Sequence, residues 1–571
     1  MTDYNFKSFK YNEGKENNRM LVVIACSMLF LTIWGSIFSP NKEELEKMKQ
    51  DSKQIELEKA KDTISNVELK NKQQQNVREK KEVFLENENV IFGIDVNNNK
   101  ISYLKLKNYK KHEIDEQNVI LLDNDHFIDS GFISNISKDE VKWNLKSKNG
   151  NKIAVYGEKN GFVFESIYTI KDNFLIENEQ KITNNSGSDT KIKFYTRISL
   201  KDTKDRIENS YAFRGIVSNC NEDIKEINYD KMNKIQNFEQ SCIKNNWIAL
   251  SDQYWLTAII SNEDIEQKQG MHYNNNNEKY QVDISNRTET ISNKNTITKK
   301  NFLYVGPKSI DNINKLQQDY NIDRFDKTID FGIFYFIAKP LLTILKKLYH
   351  LSGNFGISII LLTILVRMII FPLANRSYKE ATKMQSISGE LKIIREKYKN
   401  DNKAMQTAMY SLYKDKGINP TSAIWPMLLQ IPILFALYKV LIISIEMRDT
   451  SFLWIKDLST KDPTSFLNLF GLLPFEAPSF LHIGILPCIM GITMFIQQKI
   501  TPQANMDKTQ QKMMLLMPLI FLVMFSGMPA GLILYWSCSN IFTIIQQTII
   551  VKVYSSDNNN NYSYKRKIRN N

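Results

Sequence analysis

ISIILLTILVRMIIFPL, residues 357–373, is an apolar run interrupted by a single charge, Arg367. As a helix rising ~1.5 Å per residue, the ten residues from Ile357 place that arginine about 15 Å deep, near the middle of a hydrocarbon core about 30 Å thick. A guanidinium there costs at least about 2.5–3.5 kcal/mol and cannot shed its charge, so it must face water or a partner. No Asp or Glu lies in any of the other apolar runs to pair with it. Thr363 lies one turn earlier on the same face, and Gln430 sits in another apolar run between Pro426 and Pro432. Near the C-terminus Ser539, Asn540, Thr543, Gln546 and Gln547 recur every three or four residues, a polar stripe on an apolar helix. Together these residues outline a hydrated cavity. For the stripe alone, hydroxyls and amides that merely join helices are an equal alternative.

Working outward, the 571 residues average 42% hydrophobic and 24% charged, with a mean hydropathy of -0.35. Those averages describe a soluble protein, but the apolar residues are segregated, which points to a membrane protein with one large water-exposed domain. Six spans are expected, at 20–38, 355–374, 423–445, 483–498, 513–526 and 530–551. The first is read as a retained signal anchor, because it exceeds a signal-peptide core of roughly 7–15 residues. The fourth and fifth apolar runs reach only about 24 and 20 Å, so the bilayer must thin around them. Ten Lys or Arg lie between Arg376 and Lys416, five after Val551 and four before Met20, whereas residues 446–482 hold three, offset by five acids. The positive-inside rule then puts the N-terminal 1–19, the loop 375–419, the short loop 499–512 and the basic tail 552–571 in the cytoplasm. A linker at 39–89, a domain at 90–325 and the loop 446–482 fall outside. The net charge of +13 is thereby assigned to topology, and no nucleic acid is expected as a partner.

Within 90–325, short alternating runs such as 161–170, 191–200 and 247–260, punctuated by Asn, Gly and Ser, argue an antiparallel β-sandwich. The Asn runs at 97–99 and 274–277 read as loop tips. His112, His126 and His272 are isolated and read as surface residues, not ligands. Cys220 and Cys242 either form a disulfide or are buried and free. Residues 331–350, with Phe336, Tyr349, Lys339, Lys346 and Lys347, suit an amphipathic helix in the outer interface. Residues 377–399 and 403–416 read as two charged helices forming a cytoplasmic hairpin. That hairpin is either a solvated topology determinant or a docking surface for a nascent chain or ribosome, with Met384, Met405, Lys392 and Arg395 as its candidate contacts. Lys439, near the outer end of its span, is explained by snorkelling. No His or Asp lies inside a span, which removes intramembrane proteolysis, and no acidic residue is there to carry a coupling ion. Neither a metal nor a cofactor is expected.

Four segments are then familiar: GNFGISIILLTILVRMIIFPL (353–373), MLLQIPILFALY (427–438), GITMFIQQK (491–499) and PAGLILYWSCSNIFTIIQQ (529–547). With LSDQYWLTAII (250–260) and YVGPKS (304–309), they resemble the YidC-type membrane protein insertases in motif order and spacing. The resemblance implies the Gram-negative form: a polytopic α-helical membrane protein with six spans, a five-helix core and a periplasmic β-supersandwich. It implies a groove open to cytoplasm and lipid, with Arg367, Thr363, Gln430 and the pair Tyr535 and Trp536 on it. Trp536 stands where some relatives carry a second tyrosine. Nascent membrane proteins, the Sec translocon, the bilayer and, weakly for so short a tail, the ribosome are the implied partners. A purely structural assembly chaperone and a small-solute transporter are the rival readings.

Overall fold

The computed structural model describes residues 81–569 except 112–116, 135–137, 139–140, 172–173, 202–211, 262, 420–424, 470–472, 474–481 and 502–507; of residues 425–427, 508–512, 551 and 553–569 the backbone alone is described. The expected N-terminal segment, the span at 20–38, linker residues 39–80 and His112 lie outside the described residues.

Alternation builds the first half. In the strand Leu175–Asn184, for example, every second side chain is buried while Glu177, Glu179 and Lys181 face out. Such strands form a ten-stranded sheet with edges at Glu82–Glu86 and Asn237–Cys242, and a nine-stranded sheet with edges at Asp223–Asn228 and Lys142–Asn149. Every described pairing is antiparallel. Inside, the Phe132 ring stacks on Phe164 at 4.1 Å. A disulfide joins Cys220 to Cys242, tying the strand Gly215–Cys220 of one sheet to the edge strand of the other.

Three expectations need correction. The first strand starts at Glu82, inside the stretch read as linker: Val83 and Leu85 supply the alternation, and Leu85 is buried, but flanking Lys and Glu masked it. His126 is not at the surface; it opens a strand with its side chain buried. The turn at 97–99 is present, yet Asn99 is buried, donating to Ser166 Oγ at 2.8 Å and accepting from Tyr168 Oη at 3.0 Å. Its left-handed φ of 47° turns the side chain inward, where a polar amide meets polar partners.

The helices are α1 (Tyr229–Ile235), α2 (Ile310–Asp319), α3 (Tyr335–Ser352), α4 (Phe355–Ser386), α5 (Ser388–Lys397), α6 (Asn402–Asp415), α7 (Trp425–Ile443), α8 (Ile485–Ile500), α9 (Lys508–Phe525) and α10 (Ala530–Arg569). Gly353, at φ +68°, ends α3, and the Asn354 side chain accepts from Ile357 N to start α4. Among the described residues α4 alone is long and apolar enough to cross a membrane by itself; 428–443, 485–500 and 513–525 are shorter apolar helices. Helix α4 continues through Pro372 into the segment expected to begin a separate hairpin helix, breaking only at Ile387. The break at 400–402 is where the sequence puts it, with Asp401 capping α6 through Lys403 N and Ala404 N. The hairpin has its own apolar core of Met384, Ile387, Leu391 and Ile418.

The sandwich sits on one end of the helices through a few directed bonds. Gln253 Nε2 donates to Ile442 O at 2.9 Å, and Ser309 Oγ and Lys346 Nζ both reach Glu446 Oε1 at 3.0 Å. Lys439 does more than snorkel: its ammonium pairs with Asp330 Oδ2 at 2.7 Å, just ahead of α3.

Candidate functional site

Arg367 is carried on α4 at the point where that helix packs against α10. Its guanidinium is half-buried, with Nε donating to Ser539 Oγ at 2.9 Å and Nη2 donating to the same oxygen. Ser539 is buried, 1% exposed, so the contact is a charged donor on a neutral acceptor inside the helix packing. Among the described residues no carboxylate forms an ion pair with Arg367. A hydroxyl dipole satisfies two N–H groups without neutralising the charge, and the remaining N–H groups of the five are left for water or a passing ligand.

The spacing of α10 organises the surroundings. Tyr535, Ser539 and Thr543 follow one another at i, i+4 and i+8, and all three are buried. One turn before Ser539, Tyr535 Oη accepts from Gln430 Nε2 at 3.0 Å, which brings α7 to the same face. Thr543 Oγ1 returns its hydrogen to Ser539 O at 2.9 Å, and Thr363 Oγ1 bonds Ile359 O at 2.7 Å. Both threonines are therefore committed to their own helices, lining the region without pointing a free donor into it. Three helices, α4, α7 and α10, thus meet around Arg367, Ser539, Tyr535 and Gln430.

The other expected residues point elsewhere. Asn540 Nδ2 donates to Thr493 Oγ1 at 3.2 Å and ties α10 to α8. Trp536 leans the opposite way, its ring 4.6 Å from Phe525 and 6.1 Å from Phe521 on α9. The adjacent aromatics expected as a pair are split by the 100° step between neighbouring helix positions: one faces the arginine, the other packs on α9. Thr493 went unnoticed, although a threonine inside the apolar GITMFI run was the available signal.

In the hairpin Lys392 is exposed, and Arg395 and Met405 are half-buried. Met384 corrects an expectation: it is 8% exposed and belongs to the hairpin core, because the α4 extension turns it toward Leu391. The apolar residues that do reach the surface are Ile393, 64% exposed, and Tyr410, 71% exposed, neither of which stands out in so charged a segment.

A β-sandwich seated on apolar helices that converge on an arginine with no counter-ion among the described residues is the layout of a membrane protein with a large water-exposed domain. The family model described as 60Kd inner membrane protein matches residues 347–558, and that described as YidC periplasmic domain matches 82–344. Among curated relatives, the membrane protein insertase YidC of Rickettsia bellii is 37% identical over 440 residues, covering 75% of this chain and 78% of the relative; that of Rickettsia felis is 37% identical over 439 residues with the same coverage. A solved active YidC insertase with its first transmembrane domain resolved is 18% identical, covering 82% of this chain and 92% of that one, at a TM-score of 0.34. The chain belongs to the YidC family of membrane protein insertases, which are inner-membrane proteins and not enzymes.

Proposed function

We propose that this chain inserts membrane proteins through a hydrated, positively charged groove centred on Arg367, Ser539, Tyr535 and Gln430, open to the cytoplasm and to lipid. Thr363, Asn540 and Thr543 back the groove, and Trp536 sets the position of α9 against it. Six spans with both termini cytoplasmic carry the groove, and the sandwich lies in the periplasm. The disulfide at Cys220 supports that side, since such bonds persist in oxidising compartments.

The observation that carries the reading is Arg367 itself: a guanidinium deep in an apolar helix, held by one neutral hydroxyl and by no carboxylate among the described residues. A fixed charge of this kind keeps water in the groove and lowers the desolvation barrier for a polar or acidic client segment, while the client's apolar span slides along the groove into lipid. Nascent membrane proteins and phospholipid are the partners on this reading. The Sec translocon is a second mode of action, and the ribosome a weak contact at the hairpin through Lys392, Arg395 and Met405. The test is purified protein in liposomes scored for insertion of a single-span client and, separately, for solute flux. Insertion without flux is the expected result; flux without insertion would make the chain a transporter.

A further inference from the structure

The outer loop after α7 contains a tight turn whose chemistry is the reverse of an ordinary water-facing turn. Phe452 and Ile455 exchange backbone bonds, Phe452 N to Ile455 O at 2.8 Å and Ile455 N to Phe452 O at 3.0 Å, leaving Leu453 and Trp454 at the tip. Leu453 holds a left-handed φ of 53° and is 73% exposed. Gly, Asn and Asp are the residues that adopt this conformation in water; a branched apolar side chain there is an outlier that the surroundings must hold in place.

The turn is pinned to the entrance of α4. Asn354 Nδ2 donates to Ser451 O at 3.2 Å, and a Cβ at Gly356 would stand 2.1 Å from the Phe452 ring, so only glycine lets the turn approach this closely. Leu351, just before the Gly353 bend, is 83% exposed, and Ile357, in the first turn of α4, is 43% exposed. Because α4 is the helix long and apolar enough to cross a membrane, its first turn marks the depth at which the chain enters hydrocarbon. Ser451 and Phe452, held against Asn354 and Gly356, stand at that depth, and the exposed Leu453 follows them in the chain.

The geometry points to a lipid anchor: the 451–455 turn inserts Leu453 into the acyl region of the outer leaflet and fixes the depth of the outer end of α4. The occupant is phospholipid, since the turn packs directly on the first turn of α4 and the residues at its tip, Leu453 and Trp454, are uncharged. Burying a leucine side chain shifts the turn's partition between water and acyl chains by about tenfold or more. This inference rests on α4 crossing the membrane with this end outward, as proposed above.

The experiment uses the full chain in phosphatidylcholine–phosphatidylglycerol liposomes, with Cys26, Cys488 and Cys538 replaced by serine and a nitroxide attached after Leu453→Cys or, as a reference in the same loop, Lys456→Cys. The label at 453 should be more accessible to oxygen than to a water-soluble nickel chelate, and the label at 456 should show the opposite order. A label at 453 as open to the chelate as that at 456 overturns the anchor, as does shielding that appears only when another protein is added. Leu453→Asn keeps a residue suited to the left-handed turn and removes the apolar group: with an unchanged melting temperature it should lower client insertion, and an unchanged rate also overturns the proposal. A label on the Ile364 side of α4 that reads as aqueous would instead overturn the span.

Discussion

Replacing Arg367 separates a charge that works on clients from a side chain that holds helices together. In the structure its only described polar partner is Ser539 Oγ, 2.9 Å from Nε. A hydrogen bond from a charged donor contributes about 1.5–3 kcal/mol, while an arginine at mid-membrane costs at least about 2.5–3.5 kcal/mol, so the two nearly cancel. Arg367→Ala should therefore leave the melting temperature nearly unchanged or raise it. For a client carboxylate passing ~4 Å away, the attraction at an effective dielectric near 20 is ~4 kcal/mol, a factor of several hundred as an upper figure. Arg367→Lys keeps that charge and gives up the two-donor grip on Ser539, so it should retain much of the activity. Arg367→Ala and Arg367→Glu should fail on clients whose translocated tails are acidic. The assay is liposome insertion of two clients differing only in tail charge, with the thermal stability of each variant measured in parallel. Ser539→Ala is the companion variant: it frees the guanidinium without removing charge, and should cost about 1.5–3 kcal/mol of stability while sparing acidic-tail insertion. Equal loss for both clients that follows stability, with Lys as damaging as Ala, would refute the groove-charge mechanism and leave a helix-joining residue.

Deleting residues 90–301 removes most of the sandwich and, since the described residues of that domain present no catalytic constellation, should leave much of the insertion activity in a stably folded product; complete loss would refute this. Photo-crosslinkers at Met405 and Tyr410 should capture nascent chains, whereas one at Met384, inside the hairpin core, should not, and capture at none of them would leave the hairpin a solvated loop. The Asp283 carboxylate, 3.4 Å from His272 Nε2, raises the imidazole pKa above its ordinary value. The protonated ring therefore stabilises the sandwich fully below about pH 6.5, and that contribution is lost as pH rises through the raised value; melting curves of the chain between pH 5 and 9 should show the fall, and His272→Gln should abolish it. Reducing the disulfide, which closes a 22-residue separation, should lower sandwich stability by about 3 kcal/mol in the chain-entropy model, read as a shift of the denaturant midpoint under reductant.

What the sequence made legible, and what it hid, follows from the range of the interactions involved. Apolar segregation and strand alternation are local properties, and they located the sandwich and the apolar helices because burial in lipid or in a sheet acts on each residue in turn. Helix ends reach beyond the apolar runs for the same reason. The apolar run of α9 begins at Met513, but the helix begins at Lys508, since Lys and Gln form helix readily without being apolar. Pro372 did not end α4, because a proline in the interior costs one backbone bond that a long, well-packed helix can lose. The site divides along the same line. That Arg367 has no carboxylate partner among the described residues could be read from composition, whereas the identity of its partner could not: Ser539 is 172 positions away and was one of five polar residues on its stripe. Facing is equally non-local. Tyr535 and Trp536 are neighbours in sequence and are separated by the helix step, so which of them meets Gln430 depends on how α10 is rotated, and that rotation is set jointly by Asn540 on Thr493 and by Trp536 against Phe525. The residues that fix the orientation of the proposed groove are thus the ones pointing away from it, and a change at Thr493 or Phe525 would reach Arg367 only by turning α10.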